Sequence, residues 1–404
     1  MEESVLRRTA RDYRDVLLYG VLGAPMGAVV GAVVTVFGKG LQWVTALRLV
    51  DPLWFLPFLG LGGVLIVFCY TRFGANSGKG MGLVFLAAEG REGMPLRLVP
   101  LAIVSTWVTH LFGGSSGREG VAAQVGAALS YQLGRRLPGR DAQRIFLVAG
   151  VAAGFAGLFE TPLAAVLFAM ELLAAGRLEL RALLPSMTAA ATACGVSHFF
   201  GLEKASFPLA PGPVFSWPLF LELLPLGVLF GLAGLLFSVS LNGAKRLLAA
   251  RIPSPLLRVL VVGVLLSAAL LLLHGGRYSG LGTELVQASV CGGTVYPYDW
   301  IAKLILTVLT LSAGFQGGEL TPLFSIGATL GALVAPLFGL PTALTAALGY
   351  AAVFGSATNT LFAPIFLGCE VFGAAHLPHF FVVCAIAYLC NAGRSIYPLQ
   401  KRLG

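Results

Sequence analysis

Two short glycine-rich stretches place carboxylates where an apolar helix is predicted to begin. The first reads GSSGREGV (114–121), with Arg118 and Glu119 side by side before a long apolar run. The second reads GFQGGELTP (314–322) and carries Glu319. A charge held in hydrocarbon costs about 2.5–3.5 kcal/mol, so a carboxylate kept there indicates proton or ion chemistry. The alternatives are a salt bridge between Arg118 and Glu119, which we disfavour because adjacent residues point in different directions, and for Glu319 a favourable place at the helix dipole.

A third glycine-rich stretch, SGKGMGLVFL (77–86), also precedes an apolar run. Glycine lets the backbone turn sharply and approach a ligand closely. The helix that follows offers unpaired N–H groups and the positive end of its dipole. Convergence of three such helix starts predicts an anion site without a full positive charge, from which an anion can leave again. The candidate residues at these helix starts are Gly80, Gly82, Gly120, Val121 and Leu320.

The elements that carry these stretches are predicted to lie in a membrane. Of the 404 residues, 57% are hydrophobic and 11% are charged, against about 25% charged in soluble domains. Apolar runs such as 17–37, 55–70 and 257–273 are nearly free of charge and have the length that a bilayer core requires. We therefore expect an all-α polytopic membrane protein with the lipid bilayer as its surroundings.

The net charge of +9 is distributed as in membrane proteins. Basic residues gather outside the apolar runs, as expected of cytoplasmic loops under the positive-inside rule. This pattern predicts a multi-pass protein of the inner (plasma) membrane with both termini in the cytoplasm, and it argues against a nucleic-acid partner. The basic residues concerned are Arg7, Arg8, Arg11, Arg14, Arg135, Arg136, Arg140, Lys245, Arg246, Arg251, Lys401 and Arg402.

Neither the six cysteines nor the five histidines show the spacing of metal ligands. The cysteines lie mostly in apolar segments, where they read as small packing residues. We expect no metal and no cofactor.

Several apolar segments are too short to span a bilayer alone. Residues 98–112, 121–133, 144–158 and 161–174 are separated by Gly, Pro or charged residues. Broken helices at membrane depth are tolerated where their free backbone groups face protein or a water-filled cavity. Transporters commonly use them to build ion sites near the middle of the membrane.

The chain also resembles itself at an offset of about 200 residues. Between 150–172 and 349–371 seven aligned positions are identical, among them Glu171 with Glu370. Gly117 and Glu119 match Gly317 and Glu319 at nearly the same offset. We therefore expect a duplicated architecture with Glu171 and Glu370 as structural acceptors at helix ends. The expected division is an N-terminal cytoplasmic segment (1–14), a first repeat (15–200), a connection (201–218) and a second repeat (219–404).

The ordered set of motifs resembles the CLC chloride channel and antiporter family. It comprises GMG (80–82), GREG (117–120) and KLILTVLTLSAGFQGGELTP (303–322), followed by the second copy of the helix pair and by Tyr397. The resemblance covers about residues 15–400. It implies a CLC-type inverted repeat of many tilted, partly broken helices and a homodimer with one pathway per subunit. Because only seven residues follow Tyr397, we expect no cytoplasmic CBS-type domain.

The departures from the commonest family pattern point to one branch. Met81 stands in place of a serine, Val121 in place of a proline, and the third loop carries Glu319 and Thr321. Leu172 stands where chloride antiporters have a proton-carrying glutamate. These features resemble the CLC-type fluoride/proton antiporters, which implies export of fluoride from the cytoplasm in exchange for protons.

The resemblance also implies roles for individual residues. Glu119 would be the gate: ionised, it occupies the anion site, and protonated, it swings away. Glu319 becomes the candidate for the proton route, and Met81 lines the pore. Thr321 donates its hydroxyl to the anion or caps its helix, and Tyr397 donates its phenol or lies at the membrane interface. For Arg118 we expect a place beside the pore or in the outer vestibule, and for Asn359 either an amide at the site or a helix cap.

Two rival functions stay open. A chloride/proton antiporter or a passive anion channel would use the same fold. A hydrolase inside the membrane, with Ser115 or Ser116 as nucleophile, would need a base within hydrogen-bond reach and would leave the ordered motifs unexplained. We therefore expect a transporter rather than an enzyme.

Overall fold

The computed structural model describes residues 2–139, 141–202, 206–210, 213 and 216–401, with side chains from residue 13 onward. Arg140 and Arg402, which entered the charge argument, lie outside the described residues, as does part of the predicted connection at 201–218.

The chain folds into helices that repeat in order across two halves. The first half contains α1 (Glu2–Val50), α2 (Pro52–Phe55), α3 (Leu59–Phe73), α4 (Met81–Ala88), α5 (Leu98–Leu111), α6 (Glu119–Gly134), α7 (Ala142–Phe159), α8 (Pro162–Leu172) and α9 (Leu183–Phe199). The second half contains α10 (Trp217–Arg251), α11 (Pro255–Leu272), α12 (Thr283–Cys291), α13 (Asp299–Ala313), α14 (Leu320–Phe338), α15 (Thr342–Thr358), α16 (Phe362–Phe372) and α17 (Leu377–Leu389).

Long and short helices are mixed as the apolar pattern predicts. In the part of the chain that the structure describes, six helical segments are long and apolar enough to cross a membrane, including Tyr13–Val50 and Trp217–Arg251. The helices α8 and α16 have only 11 residues each, about 16 Å of helix in a hydrocarbon layer of about 30 Å. The predictions of a polytopic membrane protein and of broken helices are confirmed.

Glycines allow the central helices of each half to touch. A Cβ on Gly150 of α7 would lie 2.4 Å from the carbonyl oxygen of Gly126 in α6. A Cβ on Gly349 of α15 would lie 2.1 Å from the carbonyl oxygen of Gly327 in α14. Close backbone approach through small residues is the usual packing of helices in membranes. The same contact therefore occurs once in each half, about 200 residues apart.

The N-terminal ends of α8 and α16 are each capped by a glutamate of the other helix. Glu171, in the last turn of α8, accepts hydrogen bonds of 2.9–3.1 Å from the N–H groups that open α16, those of Leu361, Phe362 and Ala363. Glu370, in the last turn of α16, accepts bonds of 3.1 and 2.8 Å from the N–H groups of Leu163 and Ala164 in α8. This exchange relates the two halves as an inverted repeat, and the structural role expected for both glutamates is confirmed.

Candidate functional site

The two carboxylate-bearing loops lie against each other. Gly117 and Gly318 exchange backbone hydrogen bonds, 2.6 Å from N–H of Gly117 to O of Gly318 and 2.7 Å in return. Because each loop leads directly into a helix, the starts of α6 and α14 are held side by side. The helix starts that the sequence predicts to converge are adjacent in the fold.

Glu119 opens α6, but its side chain lies at the start of α14. The residue is fully buried, and its Oε2 accepts hydrogen bonds from the backbone N–H of Thr321 at 3.2 Å and from the Thr321 hydroxyl. The backbone N–H of Arg118 donates to the same oxygen at 3.2 Å. Donors at a helix start favour negative charge. The carboxylate of one half is therefore held by hydrogen-bond donors that come largely from the other half.

Arg118 forms an ion pair with its neighbour, so the expectation that the two side chains diverge is wrong. Its Nε lies 3.6 Å from Oε1 of Glu119. Arg118 precedes the helix with a φ of −126°, so the helical directions on which that expectation rested do not apply. Within the described structure neither Arg118 Nε nor Glu119 Oε1 makes a hydrogen bond. The guanidinium lowers the cost of the buried charge and leaves one carboxylate oxygen free.

The third glycine-rich loop and the loop that carries Glu319 line a cavity of about 440 Å³, to which α6 contributes Gln124. Gly80, Met81 and Gly82 line it at the start of α4, and Glu319 lines it from the start of α14. Gly80 has a φ of +56°, in the left-handed region that favours glycine, which turns the chain into the helix at this point. Met81 therefore lies beside the cavity, where the resemblance places it, although no described contact assigns it a chemical role.

Glu319 faces this cavity together with two lysines. It is half-buried and immediately precedes α14, while Lys79 and Lys245 line the same space. Lys79 also forms a salt bridge with Glu92 in the loop after α4. The hydrogen bond from Lys79, followed by that from Asn76, lowers the pKa of Glu92 below its ordinary value. The cavity thus has Lys245, the paired Lys79 and the carboxylate of Glu319 in its lining.

Tyr397 has an unused hydroxyl. The residue is 4% exposed, and its Oη finds no hydrogen-bond partner among the described residues. Its ring packs 5.5 Å from that of Phe85 in α4. A buried hydroxyl without a partner is costly and calls for an explanation. Its burial leaves a hydroxyl that is free to donate to a ligand.

Two other candidate residues would reach an anion through their backbone N–H groups rather than through their side chains. Val121 and Leu320 are buried in the first turns of α6 and α14, so they can offer N–H groups to an anion, as can Gly120. Asn359 instead ends α15 with a φ of +57°, and its Oδ1 accepts a hydrogen bond of 2.8 Å from Asn391. This arrangement is the helix-cap alternative.

The serines of the GGSSG stretch are engaged in internal contacts. Ser115 Oγ lies 2.8 Å from the hydroxyl of Thr307, and Ser116 Oγ lies 3.3 Å from Nε2 of His110. All of these side chains are fully buried, and Nδ1 of His110 has no hydrogen-bond partner in the described structure. A nucleophilic serine needs substrate access and a base held by a third group, and this pair has neither.

Sequence reasoning missed a group of buried cations on the other side of these loops. Lys303 is fully buried, and its Nζ donates to the carbonyls of Tyr278 and Gly280 at 3.0 and 2.7 Å. Arg48 is 4% exposed and donates from Nη1 to the carbonyl of His110 at 2.5 Å. A lysine that opens a run as apolar as KLILTVLTLSAG is the signal that would have identified the first of them.

Comparison with known proteins identifies relatives along most of the chain. The sequence profile of the voltage gated chloride channel family matches residues 62–392. A chloride/fluoride channel protein of Pseudomonas syringae pv. tomato is 36% identical over 381 residues, 92% of this chain and 83% of that one. The H(+)/Cl(-) exchange transporter ClcA of Yersinia pestis bv. Antiqua (strain Angola) is 25% identical, over 91% of this chain and 83% of its own.

Solved structures of CLC-type proteins also superpose on this chain. The crystal structure of a CLC-type fluoride/proton antiporter superposes with a TM-score of 0.95 at 48% identity, covering 97% of this chain and 99% of that one. A slow cyanobacterial Cl-/H+ antiporter superposes with a TM-score of 0.80 at 20% identity, covering 95% and 96% of the two chains. The second likeness is one of fold alone.

Proposed function

We propose, since this chain belongs to the voltage gated chloride channel family, that it is a membrane antiporter that exports fluoride from the cytoplasm in exchange for protons. One observation carries the proposal. The carboxylate of Glu119 is fully buried, and it is bound by the backbone N–H and the hydroxyl of Thr321 at the start of a helix from the opposite half. A group in that position excludes an anion when ionised and releases the position when protonated.

The coupling follows from competition for the same donors. A proton that adds to the Glu119 carboxylate removes the charge that the helix start stabilises. The neutral side chain then leaves, and an anion takes its place at the N–H and hydroxyl of Thr321. Loss of the proton restores the carboxylate, which displaces the anion. Since the anion can take this position only while the Glu119 carboxylate carries a proton, movement of the anion is coupled to movement of the proton.

Fluoride is favoured as the anion by the relatives and by the donors present. The 48%-identical protein is described as a fluoride/proton antiporter, whereas the H(+)/Cl(-) exchanger is 25% identical. Fluoride is strongly hydrated, so its site must supply many hydrogen-bond donors. The Thr321 hydroxyl, the unused hydroxyl of Tyr397 and the first N–H groups of α4, α6 and α14 are available for this purpose.

We assign the proton route to the cavity that Glu319 lines. Leu172 is a fully buried apolar residue at the end of α8 and cannot carry a proton. Glu319 borders a cavity of about 440 Å³, which is large enough for water. Its Oε2 lies 3.5 Å from the Cβ position of Gly120, next to the gate. Protons then travel between this cavity and Glu119 through Glu319.

The proposal includes a homodimer in the inner membrane with both termini in the cytoplasm. Leu163, in the first turn of α8, and Phe362, the first residue of α16, are large apolar side chains that are exposed in the single chain. A second copy of the chain would cover them. The basic N-terminal segment and Lys245 would face the cytoplasm under the positive-inside rule.

A flux assay in liposomes tests the function. Purified protein is reconstituted with fluoride or chloride inside, and anion efflux and proton uptake are recorded together. We expect fluoride efflux accompanied by proton uptake, and much slower chloride efflux. Equal rates for both anions would overturn the choice of fluoride, and anion efflux without proton movement would favour a passive channel.

The Glu119→Gln variant tests the gate in the same assay. Glutamine keeps the size of the side chain but cannot titrate, so proton-coupled exchange should be abolished. The matched control is Glu222→Gln, at an exposed glutamate of α10, which should exchange at the wild-type rate. Coupling that survives in Glu119→Gln would exclude Glu119 as the gate.

A further inference from the structure

A small pocket lies at the C-terminal end of α1, away from the cavity that contains Glu319. Its volume is about 40 Å³, and its lining includes Thr45, Arg48, Ser279, Thr283 and Glu284. A single water needs about 10–15 Å³ of such space, so the pocket can hold a monatomic ion with some of its water. We refer to it as the outer pocket.

The outer pocket is backed by positive charge without a carboxylate partner. The guanidinium of Arg48 lines it although the residue is only 4% exposed, and its hydrogen bond goes to a neutral carbonyl. Behind it, the fully buried ammonium of Lys303 also meets neutral carbonyls. Among the described residues neither cation has a carboxylate within salt-bridge distance. Buried charge that lacks a partner is strongly unfavourable. An anion bound here would therefore lower the free energy of the buried cations.

Donor nitrogens surround the side-chain face of Gly280 between these two cations. A Cβ built on Gly280 would lie 3.0 and 3.1 Å from Nη1 and Nη2 of Arg48, and 3.4 Å from Nδ1 of His110. His110 is fully buried, and that nitrogen has no hydrogen-bond partner in the described structure. Arg48 thus directs donors toward one polar region beside the outer pocket, where Nδ1 of His110 also lies and where Lys303 binds the Gly280 carbonyl.

The inverted repeat gives the outer pocket a counterpart in the site already described. The outer pocket lies at the start of α12, and the cavity with Glu319 lies at the start of α4; the two helices occupy the same place in their halves. Each follows a glycine in the left-handed region, Gly282 with φ +81° and Gly80 with φ +56°. Equivalent ends in an inverted repeat lie on opposite faces, so the outer pocket lies opposite the cavity.

We propose that the outer pocket is a second anion-binding site, which takes a monovalent inorganic anion and holds it at Arg48 beside the start of α12. Its use as the place where exported fluoride arrives rests on the proposed function, whereas anion binding itself does not. Glu284 borders the pocket and acts electrostatically on both Arg48 and Lys303. Its negative charge weakens anion binding and favours release.

Anomalous diffraction with bromide tests this proposal. Crystals of the full chain are soaked at a series of bromide concentrations, and occupancy is measured in the outer pocket. We expect a bromide peak beside Arg48 in the wild type and in Arg48→Lys, which keeps the charge, and none in Arg48→Met. The control variant His274→Asn, at a histidine that stacks on Tyr296 outside the pocket, should keep the peak.

Glu284→Gln supplies a readout that a purely structural role for the cations would not move. Glu284 is exposed, so its replacement leaves the buried structure intact. Half-occupancy should be reached at a bromide concentration about fivefold lower, as expected for loss of one nearby opposing charge. No bromide in the wild-type pocket, or the same half-occupancy concentration in Glu284→Gln, would overturn the proposal. Failure of fluoride/proton exchange in liposomes would leave this bromide result untouched.

Discussion

At the scale of single residues, the main feature is that one hydrogen-bonding position serves a fixed carboxylate and, as proposed, a mobile anion. Glu119 Oε2 accepts hydrogen bonds from the N–H and the hydroxyl of Thr321. Glu119 Oε1 accepts no hydrogen bond among the described residues and lies 3.6 Å from Arg118 Nε. A carboxylate held by every donor around it would be a permanent structural ion. The free oxygen offers a place for a proton to add without breaking an existing bond.

The Thr321 hydroxyl is expected to support fluoride turnover through its hydrogen bond, not only through its size. Thr321→Val keeps the shape but removes the donor, and a hydrogen bond to a charged partner is worth about 1.5–3 kcal/mol. We expect fluoride turnover in liposomes to fall about tenfold or more, on the same reasoning. Thr321→Ser, which keeps a hydroxyl, should stay close to the wild type. Equal losses in both variants would mean that the methyl group, not the donor, is what matters.

Residue chemistry could be predicted from the sequence where the residues are close together in a motif. Glu119 and Thr321 stand in two glycine-rich stretches, and both lie at the paired helix starts. Arg48 and Lys303 were missed because 255 positions separate them, and only the fold brings both to the same glycine. The Arg118–Glu119 contact was misjudged because the rule for adjacent helical residues was applied at a position that is not helical.

At the scale of elements, helix ends inside the membrane are costly because their backbone groups need hydrogen-bond partners. Each half supplies acceptors for a helix start of the other half. The helices begin and end close to the predicted apolar segments; α7, for example, covers 142–159 against the predicted 144–158. Periodicity and glycine placement were enough for those bounds. That Glu171 caps α16, and not a neighbour in its own half, could not be read from the sequence because it depends on how the halves pack.

Replacing Glu171 should therefore weaken the fold. In the wild type, the N–H groups at the start of α16 share the two oxygens of a charged carboxylate. Glu171→Gln leaves them one neutral acceptor oxygen, and hydrogen bonds to charged groups are stronger than those to neutral groups. We expect a loss of about 1–3 kcal/mol, seen as a lower midpoint of thermal unfolding in detergent. Glu222→Gln is the matched control and should leave the midpoint in place. An unchanged midpoint in Glu171→Gln would contradict the capping role.

The glycine contact between α14 and α15 is expected to tolerate no side chain. In Gly349→Ala the new methyl group would meet the Gly327 carbonyl oxygen at 2.1 Å, and overpacking of this kind costs about 1–3 kcal/mol. Heating followed by size-exclusion chromatography should show earlier loss of the folded peak. Gly243→Ala in α10, where no atom lies within 4 Å of the added group, should match or exceed the wild type. Similar behaviour of both variants would show that α14 and α15 can separate freely.

At the scale of the whole molecule, one chain supplies every described part of the candidate site. The proposed gate Glu119 comes from the first half and its hydrogen-bond partner Thr321 from the second, and the cavity is lined by α4 and by the loop that leads into α14. The self-similarity at about 200 residues was sufficient to predict two related halves, since it reflects the same helices and the same glycine contacts. It was not sufficient to predict which faces meet, because a repeat in sequence does not specify the rotation between its copies.

A complete site within one chain predicts that the two subunits of the proposed homodimer work independently. Dimers carrying one wild-type chain and one Glu119→Gln chain, isolated with two different affinity tags, should exchange fluoride for protons at half the wild-type rate per dimer. The reason is that Glu119 is fully buried and accepts its hydrogen bonds from Arg118 and Thr321 of its own chain. Tagged wild-type dimers provide the control for losses during isolation. A mixed dimer that is nearly inactive, or fully active, would mean that the partner subunit controls or completes the gate.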